Sequence, residues 1–264
     1  MSTIGESVRS THTSSGALMS PRSTMAVTTR VLTQLRRDHR TLAMLLVLPC
    51  ALMSLLWWMF EDLPGDGFSG LGPALLALIP FVIMFLVTSV TTLRERTSGT
   101  LERLLAMPMG KLDFLLGYAF AFGLVAAVQS ALAVGVCIWL LGLSIAGSVW
   151  LLLLVAVVDA VLGTAMGLFV SAFARTEFQA VQFMPAVVFP QILLCGLFVP
   201  RAELPAVLHG VSAVLPLSYA VDSMQSLQSS VGLSADFWRD LVVIVAFVAA
   251  AVALGAATLR RRTA

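Results

Sequence analysis

Charge is scarce in this chain. Asp, Glu, Lys and Arg together make up 11% of its 264 residues, under half of the roughly 25% usual in soluble domains. With a mean hydropathy of +0.96, a water-soluble domain is excluded. Lysine is almost absent: Lys111 stands alone between Gly110 and Leu112, so no G-x-x-x-x-G-K-[ST] phosphate loop can be written anywhere in the chain. ATP binding by that route is excluded. The three histidines, His12, His39 and His209, are too scattered for an H-E-x-x-H metal site or a buried Ser-His pair, which argues against intramembrane hydrolysis. The three cysteines, Cys50, Cys137 and Cys195, each sit inside an apolar run; their odd number and spacing make neither a disulfide framework nor a zinc site. No basic patch interleaves with aromatics, so no nucleic-acid partner is expected. No short apolar run with an A-x-A-like end marks a cleaved leader, so the first span is expected to stay in place.

What is abundant is hydrocarbon. Six apolar stretches approach the roughly 20 residues that span a bilayer as helix: Leu42 to Phe60, Leu71 to Leu93, Phe114 to Leu141, Val149 to Ala172, Val181 to Val199 and Leu241 to Leu259. They lack the alternation of a membrane β-barrel, and the reading is an all-α integral membrane protein. Of the 16 Lys and Arg residues, all but Arg201 and Arg239 fall on one side if there are six crossings. Because basic residues resist translocation, that side is expected to be cytoplasmic and to carry both termini. Residues 1–24, rich in Ser and Thr, are expected to be a disordered tail ahead of one six-helix transmembrane domain, 25–264.

Three polar departures interrupt the oil. Before the first span, Val27, Val31 and Leu35 recur at helical spacing while Arg30, Arg37 and Arg40 face elsewhere, as in an interfacial helix over 25–40. An ordinary basic flank that anchors the first span gives the same pattern. Between the second and third spans lies a polar loop, 94–113. Its charges would cost about 2.5 to 3.5 kcal/mol each at the centre of a bilayer, so it belongs in water. Within it Leu101, Leu104 and Leu105 fall at i, i+3 and i+4 until Pro108 stops the pattern, which predicts a short amphipathic helix after a turn at Gly99. A solvated connector is the plain alternative. Asp113 then suits the N-cap of the next span.

The fifth stretch carries Pro185 and Pro190, with Gly196 and Pro200 after it, and is expected to be kinked or broken. The external segment that follows, 200–237, should hold short helices over Leu204 to Leu215 and Tyr219 to Leu227. In the fourth span Asp159 is expensive unless protonated, bonded or facing water, and Gln129 or Ser130 is the natural partner. Gln191, in the fifth span, is a further intramembrane polar group. Asp159, Gln129 and Gln191 are therefore candidates for either a pathway or packing. Gly163 and Gly167 extend the Asp159 face at i+4 and i+8, allowing a neighbouring helix to approach closely.

Two motifs carry a family resemblance. The run Arg94-Glu95-Arg96, then Gly99-Thr100-Leu101-Glu102-Arg103-Leu104-Leu105 and Pro108, resembles the R-E-x-x-G-T-L-E-R-L-L-x-x-P signature of type-2 ATP-binding-cassette (ABC) exporter membrane subunits, especially those similar to daunorubicin exporter permeases. The run Gly196 to Pro200, Leu204-Pro205 and Leu215-Pro216-Leu217-Ser218-Tyr219-Ala220-Val221-Asp222 resembles the family's S-G-x-x-x-P to P-L-T-Y-A-V-D stretch. Cys195 stands there for Ser, Ser218 for Thr, and Gln225 where many members have Arg.

The resemblance covers roughly residues 25 to 260. It implies six spans with both ends inside, an amphipathic helix before the first, a coupling helix in the 94–113 loop that docks on a separate ABC ATPase, and broken external helices after the fifth. It further implies a bacterial inner-membrane permease that pairs with a second copy or a paralogue. Such a subunit is not an enzyme, holds no cofactor of its own and leaves ATP to its partner. The implied coupling residues are Arg94, Glu95, Gly99, Thr100, Leu101, Glu102, Arg103, Leu104, Leu105 and Pro108. Rival readings are a proton-driven carrier that titrates Asp159 and a non-transporting membrane scaffold.

Overall fold

The computed structural model describes residues 20–60, 67–98, 111–230, 232 and 234–258, and no strand occurs among them. Helix α1 (Pro21–Arg37) begins four residues before the expected boundary. Ser20 is its N-cap and Pro21 supplies a pre-set φ at the first helical position. Val27, Val31 and Leu35 are buried, as their spacing predicts. The chain turns at Asp38, whose carboxylate accepts from the Thr41 N–H (3.1 Å) and hydroxyl (2.7 Å) and so opens α2 (His39–Phe60). Those bonds hold the Asp38 carboxyl below the usual carboxylate range.

Helix α3 (Gly67–Thr97) is followed by α4 (Lys111–Gly135), which ends in a π-turn, Val136–Leu140, closed by Leu141 N–H to Val136 C=O. Then come α5 (Val149–Ser171), α6 (Glu177–Leu194), a 3₁₀ turn (Arg201–Glu203), α7 (Ala206–Ser212), α8 (Pro216–Ser229) and α9 (Ala235–Thr258).

Five of these segments are long and apolar enough to cross a membrane: His39–Phe60, Gly67–Thr97, Asp113–Leu140, Val149–Ser171 and Ala235–Thr258. The expected fifth stretch becomes α6, which is not among them. Glu177, Gln179, Gln182 and Gln191, together with two prolines, dilute its apolar surface. Helix α6 runs through Pro185 and Pro190, and the expected break comes after them, past Leu194, at Gly196 with φ +94°. A proline removes one backbone bond without ending a helix that neighbours support. Pro73 and Pro80 lie inside α3 in the same way.

Contacts sort the helix ends into two poles. At one pole the end of α3 bonds to α1 and to the start of α6, α1 bonds to the start of α4, and Gly255 near the end of α9 lies against Leu115 and Phe169. At the other, Gly67 lies beside Phe60, Gln228 reaches the Ser69 carbonyl, and the 146–147 backbone donates to the end of α8. Helices α2, α3, α4, α5, α6 and α9 thus alternate in direction. All five tryptophans, Trp57, Trp58, Trp139, Trp150 and Trp238, gather at the second pole, four of them exposed.

The centre of the bundle is the α3–α5 pair. The most apolar stretch of each is 61% buried, against 17% in α2 and 22% in α9, which form the perimeter. A Cβ on Gly163 would meet the Phe81 carbonyl oxygen at 2.4 Å, and one on Gly167 the Phe85 carbonyl oxygen at 2.5 Å. The backbones touch along the face that the glycine spacing marks, and the pairing numbers rise together, so the two helices are parallel.

Candidate coupling surface

The residues at the root of the polar loop form a connected polar group. Glu95 is buried, and its two carboxylate oxygens accept from Arg30 Nη2 (3.0 Å) and Gln34 Nε2 (3.0 Å) of α1. Arg94 forks onto Glu177 in the first turn of α6, with Nε to Oε1 at 2.9 Å and Nη2 to Oε2 at 3.1 Å. Arg96 donates to the carbonyl of Ser171, the last residue of α5. Three consecutive side chains therefore grip three different helices. Successive residues on a helix point about 100° apart, so a run of long polar groups at its end can reach several neighbours.

The three grips differ in strength. Arg94 and Glu177 are both half-exposed, so their pair adds about 0.2–1 kcal/mol despite its two-point geometry. Glu95 is 8% exposed and Arg30 34%, and hydrogen bonds to charged groups in such places contribute about 1.5–3 kcal/mol. The Tyr118 ring of α4 packs against Phe114 at a 37° tilt with centroids 4.5 Å apart, and its hydroxyl lies within electrostatic range of Glu95 and Arg30.

Glu95 thus spends its carboxylate inside the chain rather than toward a partner surface. Gly99, Thr100, Leu101, Glu102, Arg103, Leu104, Leu105 and Pro108 lie outside the described residues, as does the short amphipathic helix assigned to them. Asp113 departs from its expected role. It sits within the first turn of α4, and its carboxylate accepts from the Ser20 N–H (3.0 Å) and the Thr24 hydroxyl (3.3 Å), tying the start of α1 to the start of α4. Gly117 lets the two helices close, because a Cβ there would meet Val27 at 2.6 Å.

Among the described residues the intramembrane candidates make no hydrogen bond to one another. Asp159 is fully buried, and neither of its oxygens has a hydrogen-bond partner among the described residues. The expected bond to Ser130 is not made, because Ser130 donates to the Ala156 carbonyl at 3.0 Å, and both polar atoms of Gln129 are also unpartnered. Gln191 is bonded within the fold. Its amide donates to the Val187 carbonyl (3.1 Å), and its oxygen accepts from the Leu217 N–H (3.3 Å), satisfying an orphan donor in the first turn of α8.

On the opposite pole Arg201 ion-pairs with Asp222, donates to the Ser212 hydroxyl (3.2 Å) and lies over the Tyr219 ring at 5.1 Å. This pins the 3₁₀ turn and α7 onto α8. Burial pushes the Asp222 carboxyl above the usual carboxylate range, and Arg201 offsets part of that rise. The sequence motifs found Arg94 and Glu95 but missed Arg30, Gln34, Glu177 and Arg201. Charged residues in the flanks of apolar runs were the only available signal for these.

A helical membrane bundle with a polar clasp at the root of one loop defines a class of multi-pass membrane protein. The chain belongs to the ABC-2 type transporter family, whose model matches residues 22–229. Among curated relatives it is similar to the probable multidrug ABC transporter permease YbhR of Escherichia coli K12. That match is 26% identical over 190 residues, 72% of this chain and 52% of the relative. The probable multidrug ABC transporter permease YbhS of the same strain is 29% identical over 156 residues, 59% of this chain and 41% of that one. ABC transporter G family member 20 of Dictyostelium discoideum is 27% identical over 180 residues, covering 67% of this chain and 25% of the relative. The chain spans about half or less of the length of these relatives.

Proposed function

We propose that the chain is the transmembrane subunit of an ATP-driven exporter, moving an apolar, drug-like or lipid-like compound out of the cytoplasm of a bacterial cell. The observation that carries the reading is the clasp at the root of the 94–113 loop, inside the segment that the family match covers. In this reading α6 completes a set of six crossings. The pole bearing α1 and the clasp is cytoplasmic, both termini lie there, and a second copy or a paralogue completes the pathway. The concentration of arginine at that pole among the described residues supports the orientation.

ATP is held and hydrolysed by a separate ABC ATPase subunit, and this chain contributes no cofactor. Residues Gly99 to Pro108 form the docking element, with Leu101, Leu104 and Leu105 filling a groove of the partner and Glu102 and Arg103 making polar contacts. Force on that element arrives at the end of α3. Arg94, Glu95 and Arg96 then pass it to α6, α1 and α5 as rigid displacement, because each grip is short and on a different helix.

Reversing the charges of Glu102 and Arg103 together is expected to lower transport-coupled ATPase activity at least several-fold while membrane insertion persists. Coupling that survives the double reversal removes the docking assignment. Asp159, buried and unpartnered, favours a second reading as a proton-coupled carrier. Asp159→Asn separates the two: transport that persists without it excludes a proton relay.

A further inference from the structure

The outward face of α1 carries a basic groove of which the proposed export mechanism uses only Arg30 and Gln34, the partners of Glu95. We infer that this groove is a binding site for an anionic phospholipid whose headgroup also bears a hydroxyl, a phosphatidylglycerol-type lipid of the leaflet on that side.

Chain connectivity fixes where α1 lies. Its first residues are bonded to Asp113 in the first turn of α4, and its last is joined through Asp38 to the first turn of α2. Both of those helices belong to the five that are long and apolar enough to span, and both begin at the same pole. The helix, about 25 Å long at 1.5 Å per residue, is thus held at the level where spans enter the membrane, the depth of phosphates and glycerols.

The face turned away from Val27, Val31 and Leu35 lines an open groove of about 850 Å³, bounded by Arg22, Met25, Thr29, Arg30, Thr33 and Arg37. Over its 17 residues α1 has four arginines and no acidic residue. Among the described residues only Arg30 of these four has an ion pair. Arg22 and Arg37 therefore keep their charge for a ligand, and clusters of this kind at a membrane surface recognise anionic headgroups.

The hydroxyls narrow the choice of headgroup. Thr29 donates to the Met25 carbonyl (2.9 Å) and Thr33 to the Thr29 carbonyl (2.7 Å), which leaves lone pairs on both groove-lining oxygens to accept a bond. A phosphate on the arginines with a glycerol hydroxyl on these oxygens satisfies both. Met25, 66% exposed, offers an apolar contact to the glycerol backbone and acyl root. A simple basic flank would attract any anionic lipid without distinguishing headgroups.

The test uses the purified full chain in phosphatidylcholine nanodiscs doped with spin-labelled phosphatidylglycerol or phosphatidylserine. The lipid measurement itself needs neither an ATPase nor transport, so it stands or falls separately from the proposed function. Phosphatidylglycerol should be retained several-fold over phosphatidylserine, and Arg22→Gln with Arg37→Gln should reduce that ratio to near one at an unchanged thermal midpoint. Arg22→Lys with Arg37→Lys, which keeps the charge, should retain a measurable preference and guards against loss of fold. Equal retention of the two lipids by the wild-type chain would leave only a diffuse basic flank and overturn the site. An unchanged ratio in the glutamine variant would also overturn it. So would weaker capture of the ATPase subunit by that variant at an unchanged lipid ratio, which would assign the face to the protein partner.

Discussion

Glu95 shows how one carboxylate can join elements distant in sequence. Its partners on α1 lie 65 and 61 positions away, and both of its oxygens are engaged. Glu95→Gln keeps the shape and removes the charge, leaving Arg30 partly buried beside a neutral amide. The loss should be about 2 kcal/mol, lowering the thermal midpoint by roughly 5 °C in a chain of this size. Pairing it with Arg30→Gln should cost less than the two single changes summed, since the second removes the uncompensated charge. Additive losses in that cycle would mean that the two side chains act independently. The motif singled out Glu95, but its partner was illegible: no local pattern indicates which of several flanking arginines a carboxylate will meet across the fold.

Among elements, the close-approach face of α5 was the most legible in advance, without its partner α3, and α6 the least. Two glycines four apart on an apolar helix advertise close approach, and the carbonyls of Phe81 and Phe85 fill the space their missing side chains leave. Gly163→Ala must push the Phe81 backbone away and should cost about 1–3 kcal/mol. Gly123→Ala, whose new carbon would meet only the Val161 side chain at 3.7 Å, should be tolerated. Thermal unfolding of the two variants in one detergent checks this, and equal stabilities would refute the backbone contact. The prolines of α6 announced a break without fixing its position, because their cost is local and helix continuity is decided by what packs around them. The expected Asp159–Ser130 bond failed for a related reason. Spacing along one helix says which face a residue occupies but not how neighbouring helices are rotated, and Ser130 turned to a backbone carbonyl instead.

For the whole molecule, apolar runs of spanning length and the sorting of arginine made the helical membrane class readable, while the two-pole arrangement needed contacts between helix ends. If the arginine-rich pole is cytoplasmic, a cysteine at Ser98 should react with an impermeant maleimide only in inverted vesicles and one at Ser230 only in intact cells. Both are placed in a chain whose three native cysteines are replaced. Labelling of both from the same side would break the alternation proposed for α6.

The tryptophans give the bundle a built-in, one-sided lamp. With every indole at the rim opposite the clasp, intrinsic emission samples a single monolayer, and brominated acyl chains restricted to that monolayer would dim it while the same lipids across the midplane would not. A tryptophan-free ATPase seating itself on the arginine-rich side would therefore leave these indoles undisturbed. Any change of emission on adding nucleotide would record movement carried through the full thickness of the membrane.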